Sequence, residues 1–407
     1  MADQKKSGSG LPLDGVTVVD FSRLLPGPWC TQMLGEFGAN VIKVEQPGVG
    51  DYSRYNAPRY RKDGVYFNAV NGDKRSLTLD LTKPEGLEVA HRLIKKADVV
   101  VESFRPGVTK KLKIDYDTAK AMNPGVIYCA ISGFGQTGPH ANIAGHDLVI
   151  QGMAGILGGQ LEPGQLPGNP GFQTGDYAGA LYATIGILAA VLQRQNTGKG
   201  VFLDMSMFDA VFHMCPVVLT SALAKLAGHS GEPKQESFGK NPRYANYLTK
   251  DRKVVSVALL EPKAWQEFAK MVGRDDLIYD KETWEDRHTT HGSREDLYRQ
   301  ALTEYCGSKT LAEHERILLD TGIAICPLYE PEQALDTENV KARGLVNFID
   351  SPAEGRIPHL VNPIARSGVG IPEHRPAPSL GQHTDEVLAE FGYSAAEIAK
   401  LRAANAV

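Results

Sequence analysis

Apolar positions along the chain follow two alternating periods. Residues 15–21 (GVTVVDF), 40–45 (NVIKVE), 98–101 (DVVV) and 126–131 (VIYCAI) are short, β-branched runs of strand length. Between them lie segments with helical spacing: 29–36 after the break at Pro26-Gly27-Pro28, 84–96 with proline in its first turn, and 116–122. Strands apolar on both faces, each followed by a helix, predict an α/β fold built on a Rossmann-like, doubly wound parallel sheet. The most apolar stretch, 177–194 (YAGALYATIGILAAVLQR), predicts a long helix that is buried or lies at an interface and ends at Thr197-Gly198-Lys199-Gly200. Residues 201–205 then predict a strand and 208–226 a second apolar helix.

The pattern changes after that helix. Residues 229–243 (HSGEPKQESFGKNPR) are polar and rich in Gly and Pro, the composition of a linker. Beyond it, 253–259 predicts a strand, 262–271 a helix, and 276–320 helical and more charged structure. The expected organisation is a disordered lead over 1–10, a large domain from 11–229, a smaller α+β domain at 230–335, and a return to the large domain over 336–407. Residues 362–378 are Pro-rich and extended, and 384–404 predicts a last helix docked on the first domain. No period of 20 to 50 residues recurs, which excludes solenoids and propellers.

Composition narrows the function. The 407 residues exceed the size at which single cores stop growing, roughly 250 to 300. With 44 Lys+Arg against 48 Asp+Glu and no basic run of five, the chain lacks a nucleic-acid or anionic-membrane surface, so a small molecule or another protein is the expected partner. Cys30, Cys129, Cys215, Cys306 and Cys326 are scattered without a C-x-x-C pair, fitting a reducing, cytoplasmic compartment and neither a disulfide framework nor a zinc knuckle. No apolar run is expected to span a membrane, and the N-terminus has no signal-peptide stretch. The phosphate loop, H-E-x-x-H and G-x-S-x-G are absent, and the turn after the first strand, Ser22 to Pro28, carries no G-x-G-x-x-G, against nucleotide hydrolysis, zinc proteolysis, α/β-hydrolase chemistry and ordinary NAD binding.

Two features carry candidate chemistry. Asp176 follows Gly171-Phe172-Gln173-Thr174-Gly175 and stands just before the most apolar helix. It is either an N-cap or a carboxylate nucleophile at a positive helix end, with glycines that let a substrate approach the backbone. The loop Ser132-Gly133-Phe134-Gly135-Gln136-Thr137-Gly138-Pro139, followed by Gly145-His146-Asp147, leaves the carboxyl end of a predicted strand, where ligands bind in open α/β sheets. Either part of it is equally consistent with an ordinary turn or a structural histidine.

The ordered segments LPLDGVTVVDFSRLLPGPWCTQMLGEFGANVIKVEQPGVGD, NGDKRSLTLDL, ADVVVESFRPG, NPGVIYCAISGFGQTGPH, GDYAGALYATIGILAAVLQRQNTGKG and PSLGQHTDEVLAEFGYSAAEI together resemble the family III CoA-transferases. That group includes formyl-CoA, carnitine and benzylsuccinate CoA-transferases and the α-methylacyl-CoA racemases. The resemblance implies a large domain made from both chain ends, a small domain between them, and an interlocked homodimer; a heteromer with a paralogue is the variant of that assembly. It implies that CoA or acyl-CoA is the substrate, contacted at Leu25, Pro26, Gln46, Leu79, Thr82, Ser103, Phe104, Arg105, Lys111, Ala144, Gly145, His146 and Asp147. Arg105 and Lys111 are the natural phosphate partners there. Gln46 replaces the Arg commonly found at its position.

In the transferases the matching Asp176 attacks a donor thioester, and CoA passes to an acceptor acid through an aspartyl anhydride and an aspartyl-CoA thioester, with no metal and no nucleotide cofactor. In the racemases a His-Asp pair with a supporting Glu exchanges the α-proton; His146, Asp176 and Glu261 match all three. The stretch after His146, the long segment 52–75 and Ala180-Leu181-Tyr182-Ala183 follow the transferase form instead. Transfer is therefore the expected activity, with racemisation second and a non-catalytic subunit third. Arg54, Arg59, Arg61 and Lys62, interleaved with tyrosines, form either an acid-binding segment or a solvated loop.

Overall fold

A computed structural model describes residues 10–158, 166–232, 240–371 and 374–407, so most of the expected lead and part of the expected linker lie outside the described residues. The chain forms two compact units. The first takes the chain up to Ala154, Gly168–Met214 and Glu338–Val407; the second takes Gly155–Pro167 and Cys215–Thr337.

The first unit begins β1 (Thr17–Asp20), α1 (Pro26–Glu36), β2 (Asn40–Glu45), α2 (Val65–Val70), β3 (Lys74–Thr78), α3 (Pro84–Lys96) and β4 (Val99–Glu102). It continues α4 (Val108–Lys111), α5 (Tyr116–Met122), β5 (Ile127–Ser132), α6 (Asp147–Met153), α7 (Thr174–Thr197), β6 (Val201–Ser206) and α8 (Met207–His213). The six strands pair in parallel in the order β3-β2-β1-β4-β5-β6. This is the doubly wound order whose direction reverses between β1 and β4. Val19, Ile42, Leu77, Val100 and Tyr128 on one sheet face pack with Leu93 and Ile94 of α3 in one hydrophobic core.

Strand β3 (KRSLT) is unexpected because it carries charge, yet all five residues are buried. Its charges are internally paired: Lys74 Nζ lies 3.2 Å from Asp20, and neither side chain is exposed. The same device stabilises β2, where Lys43 pairs with Asp51 at 2.9 Å and Glu45 with Arg54 at 2.7 Å.

The two most apolar helical segments depart from expectation. The apolar segment 208–226 is two helices, α8 and α9 (Thr220–Leu226). Pro216 stands between them, lacks an N–H, and its ring would clash with the Phe212 carbonyl of a continuous helix. The units change at this break, ahead of the polar segment 229–243. Helix α7 starts at Thr174, so Asp176 lies inside its first turn rather than before it. Against the expectation that no such run exists, α7 is long and apolar enough to cross a membrane; half of that stretch is buried in the fold.

In the second unit, β7 (Tyr244–Leu248), β8 (Val254–Ala258) and β9 (Ile325–Pro327) form an antiparallel sheet. Helices α10 (Pro262–Met271), α11 (Glu295–Gly307) and α12 (Leu311–Thr321) accompany it, with short 3-10 turns rather than helix over 275–294, and α13 (Pro331–Leu335) follows. Trp265, Phe268, Tyr298 and Leu302 centre its core.

The chain returns to the first unit through α14 (Glu338–Ala342) and an antiparallel hairpin, β10 (Val346–Ser351) and β11 (Gly355–Leu360). The expected last helix is two, α15 (Thr384–Glu390) and α16 (Ala395–Ala403), parted at Gly392 with φ +89°. Val387, Leu388 and Leu401 join the core of the sheet.

Candidate active site

Loops leaving the carboxyl ends of β1 and β4 diverge at the point where strand order reverses, and this opens a crevice. A cleft of about 480 Å³ occupies it. Arg23, Leu25 and Pro26 line it from the β1 loop, Ser103, Phe104 and Arg105 from the β4 loop, and Ser132 and Gly133 from the end of β5. Ala144, Gly145, His146 and Asp176 complete one wall. A smaller cavity of about 160 Å³, lined by Gln46, Leu79 and Thr82, shares Arg23 and Phe104 with the cleft. The two cavities therefore meet at those side chains.

The β1 loop is held from below by buried charge. Leu24 has φ +67°, a conformation that costs a non-glycine residue free energy. Its N–H donates to both carboxylate oxygens of Asp51 at 3.2 Å, while Lys43, 2.9 Å away, holds Asp51 down at a pKa of about 2 against the opposing effect of burial. The next residues, Leu25 and Pro26, start α1 with proline in its first turn, where no N–H is missed.

Asp176 is the third residue of α7, whose N-cap is Gln173. The capping that its position promised is done by Asp147, which accepts the Gly175 N–H at 2.7 Å through Oδ1 and the Gln151 amide at 2.7 Å through Oδ2. Gly175 favours this approach: a Cβ there would lie 3.0 Å from Ile150 and 3.1 Å from Asp147 Oδ1, so both side chains would have to give way. The Asp176 carboxylate itself accepts no hydrogen bond among the described residues. Burial, and then the negative Asp147 nearby, raises it to a pKa of about 7. A carboxyl group poised there at a cleft wall is half ionised at neutral pH, free of structural partners, and available to act as nucleophile or proton carrier.

His146 precedes α6, makes no capping bond, is exposed and lines the same cleft as Asp176. Gly133 and Gly145 cross so closely that a Cβ on Gly133 would sit 2.6 Å from the Gly145 Cα. Two glycines are therefore needed for the His146 loop to lie against the end of β5.

Not every expected residue reaches these cavities. Asp147 does not line the cleft and acts behind it on α7. Lys111 is exposed at the end of α4 and lines neither cavity, although its neighbour Leu112 lines the smaller one. Glu261 is exposed in the second unit, directly before α10. Arg54 is buried and paired with Glu45 and Asp63, both at 2.7 Å, so it is a structural cation rather than part of an acid-binding segment. Arg59 donates to its own loop at the Lys62 carbonyl.

Arg23 and Tyr66 are among the lining residues that the sequence analysis did not single out. Arg23 lies 5.4 Å over the Phe104 ring and 5.3 Å over Tyr52, at the junction of the two cavities. Its place two residues beyond a predicted strand was the available signal. Tyr66 lines the cleft from α2, its hydroxyl raised by burial and then by Asp176. Nothing in the short segment around it marks a site.

Residues 13–384 match the family model of CoA-transferase family III. The chain is 32% identical over 394 residues to a succinate–glutarate CoA-transferase of Agrobacterium fabrum, covering 93% of this chain and 96% of the relative. It is also 32% identical over 394 residues to an α-methylacyl-CoA racemase of Homo sapiens, covering 96% of each. Among solved structures, a CaiB/BaiF family protein from Brucella suis superposes with a TM-score of 0.78 at 33% identity, covering 94% of this chain and 99% of that one.

Proposed function

Because the chain belongs to CoA-transferase family III, we propose that it moves CoA from an acyl-CoA donor to a carboxylic acid acceptor through Asp176. The observation that carries this reading is the carboxyl of Asp176, without a hydrogen-bond partner among the described residues, on the wall of a cleft at the sheet's switch point. Its ionised form attacks the donor thioester carbonyl and expels CoA thiolate, leaving an acyl-aspartyl anhydride. The thiolate attacks the aspartyl carbonyl, releasing the donor acid and forming an aspartyl-CoA thioester. The acceptor carboxylate attacks that thioester, and the thiolate then attacks the acceptor's carbonyl in the new anhydride, regenerating Asp176. Each step exchanges one activated acyl group for another, so neither ATP nor metal is consumed. Backbone N–H groups of the glycine-rich β5 exit supply donors to the developing oxyanions.

In this reading acyl-CoA lies along both cavities. The nucleotide end enters the smaller one at Gln46, Leu79 and Thr82, Arg23 and Arg105 take phosphates, and the thioester reaches Asp176. The apolar, exposed Leu181, Ile185 and Leu192 of α7 support burial in a homodimer, the assembly in which a split large domain interlocks with its copy.

Incubation with succinyl-CoA and hydroxylamine tests the reading: Asp176 becomes a hydroxamate detectable by peptide mass spectrometry. No adduct from a panel of donors, with product still formed, excludes it. His146 beside Asp176 in one cleft favours a second activity, α-proton exchange on a 2-methylacyl-CoA. That activity incorporates solvent deuterium without an acceptor acid and is lost in His146→Ala.

A further inference from the structure

At the far end of α1 from the cleft lies a buried cluster that the proposed chemistry does not use. Pro26 and Glu36 are the two ends of the eleven-residue α1, which places the cluster on the order of 15 Å from the cleft. Glu36, His359 of β11 and His374 of the returning segment each offer a ligand atom, and these atoms lie within 4.8 Å of one another. The imidazoles are packed together, with ring centroids 4.2 Å apart. His359 is 6% exposed, and its Nε2 is buried with no hydrogen-bond partner among the described residues. A buried ring nitrogen without a partner loses its hydration for nothing, and such an atom calls for a ligand.

The other two groups are already oriented. Asp73, fully buried, holds His374 at Nδ1 over 2.8 Å and also accepts the Arg375 N–H at 2.8 Å. Asn362 donates to one oxygen of Glu36 and Gln32 to the other at 3.3 Å. Gln32 is fixed in turn by the Gly72 N–H, 2.9 Å from its Oε1. Carboxylate behind histidine and amides behind carboxylate are the outer contacts that fix ligand orientation at metal sites.

We propose that Glu36, His359 and His374 form a structural site for a divalent transition metal of the zinc class, with Asp73, Gln32 and Asn362 as its supporting shell. Two imidazoles and one carboxylate suit Zn²⁺ and disfavour Ca²⁺ or Mg²⁺, which take oxygen donors. Bonds of about 2.0–2.1 Å place donors about 3.4 Å apart around a tetrahedral ion, so the 4.8 Å envelope closes by a small side-chain movement. A fourth position is left for water. The ion ties α1, the β10–β11 hairpin and the segment leading to α15 to one point. That stabilises the first unit by closing long loops.

The test uses the full-length protein without a histidine tag, stripped with chelator and dialysed against Zn²⁺. One zinc per chain is expected to survive gel filtration, with at least a tenfold loss of retention in Glu36→Gln and in His359→Gln. Melting temperature is expected to rise by ~5 °C at a hundredfold excess of zinc over Kd in the wild type and not in the variants. Retention below a tenth of an equivalent by the wild type overturns the proposal, as does equal retention by folded variants, because the metal is then held elsewhere. If the variants do not fold, Co²⁺ bound to the wild type decides. Intense visible d–d bands support a low-coordinate nitrogen and oxygen site, and the pale spectrum of the hydrated ion overturns it.

Discussion

The Asp147→Asn exchange probes how the carboxyl of Asp176 is tuned. Asp176 is raised from 3.8 to about 7, first by burial and then by the charge of Asp147. With a pKa near 7, about one molecule in eleven is ionised at pH 6 and ten in eleven at pH 8, so attack by the carboxylate accelerates about tenfold over that interval. The asparagine keeps an oxygen to accept the Gly175 N–H and removes the charge, while its amide takes the place of the oxygen that accepted from Gln151, whose side-chain amide must turn its own oxygen toward it. Loss of a like charge lowers the Asp176 pKa by about one unit. Burial, the larger cause, stays in place, so the pKa remains above the ordinary aspartate value. The pH 8 to pH 6 rate ratio then shrinks from about ten to about two. The assay is the pH profile of hydroxylamine trapping at low acyl-CoA, measured on both proteins. The substrate's phosphomonoester titrates near pH ~6, but equally with both enzymes, so the displacement between the two profiles carries the result. Superimposable profiles, or a wild type without an acid limb between pH 5 and 8, refute the electrostatic reasoning.

The same raised carboxyl weakens the fold. Folded Asp176 binds its proton more tightly than the unfolded chain does, so stability falls as pH rises from about 4 through about 7. Asp176→Asn is inactive in transfer and more stable than wild type by about 1–3 kcal/mol at pH 8, the gap closing toward pH 4 in urea titrations. Arg23→Met raises KM for acyl-CoA by about tenfold or more with kcat nearly unchanged, because a phosphate contact binds ground and transition states alike; an unchanged KM removes Arg23 from the CoA path. Gly133→Ala forces a Cβ to within 2.6 Å of the Gly145 Cα, displacing the His146 loop and destabilising the fold by about 1–3 kcal/mol; a melting temperature equal to wild type contradicts the packing.

The alternation of short apolar strands with helices was enough to determine the parallel α/β sheet, because strands covered on both faces leave a continuous apolar run, as in VTVVD and DVVV. Local breakers set the limits of that reading. Pro216 and Gly392 each divide a segment whose spacing alone looked continuous, and β3 stayed hidden because Lys74 and Arg75 are charged. Whether a charge is buried depends on its partner, and Asp20 is 54 positions away from Lys74.

The motifs surrounding Asp176 and His146 were legible as candidates from their order along the chain. Which aspartate caps α7 was not, since Asp147 reaches the Gly175 N–H from 28 positions away and only the packing of α6 on α7 assigns it. Arg23 at the junction of the cavities, Arg54 withdrawn into an ion pair, and the convergence of Glu36, His359 and His374 likewise follow from tertiary structure. Sequence determines what each segment can form locally. The neutralisation of buried charges, the freedom of a carboxyl and the meeting of distant ligands are properties of pairs, and only the closed fold brings those pairs together.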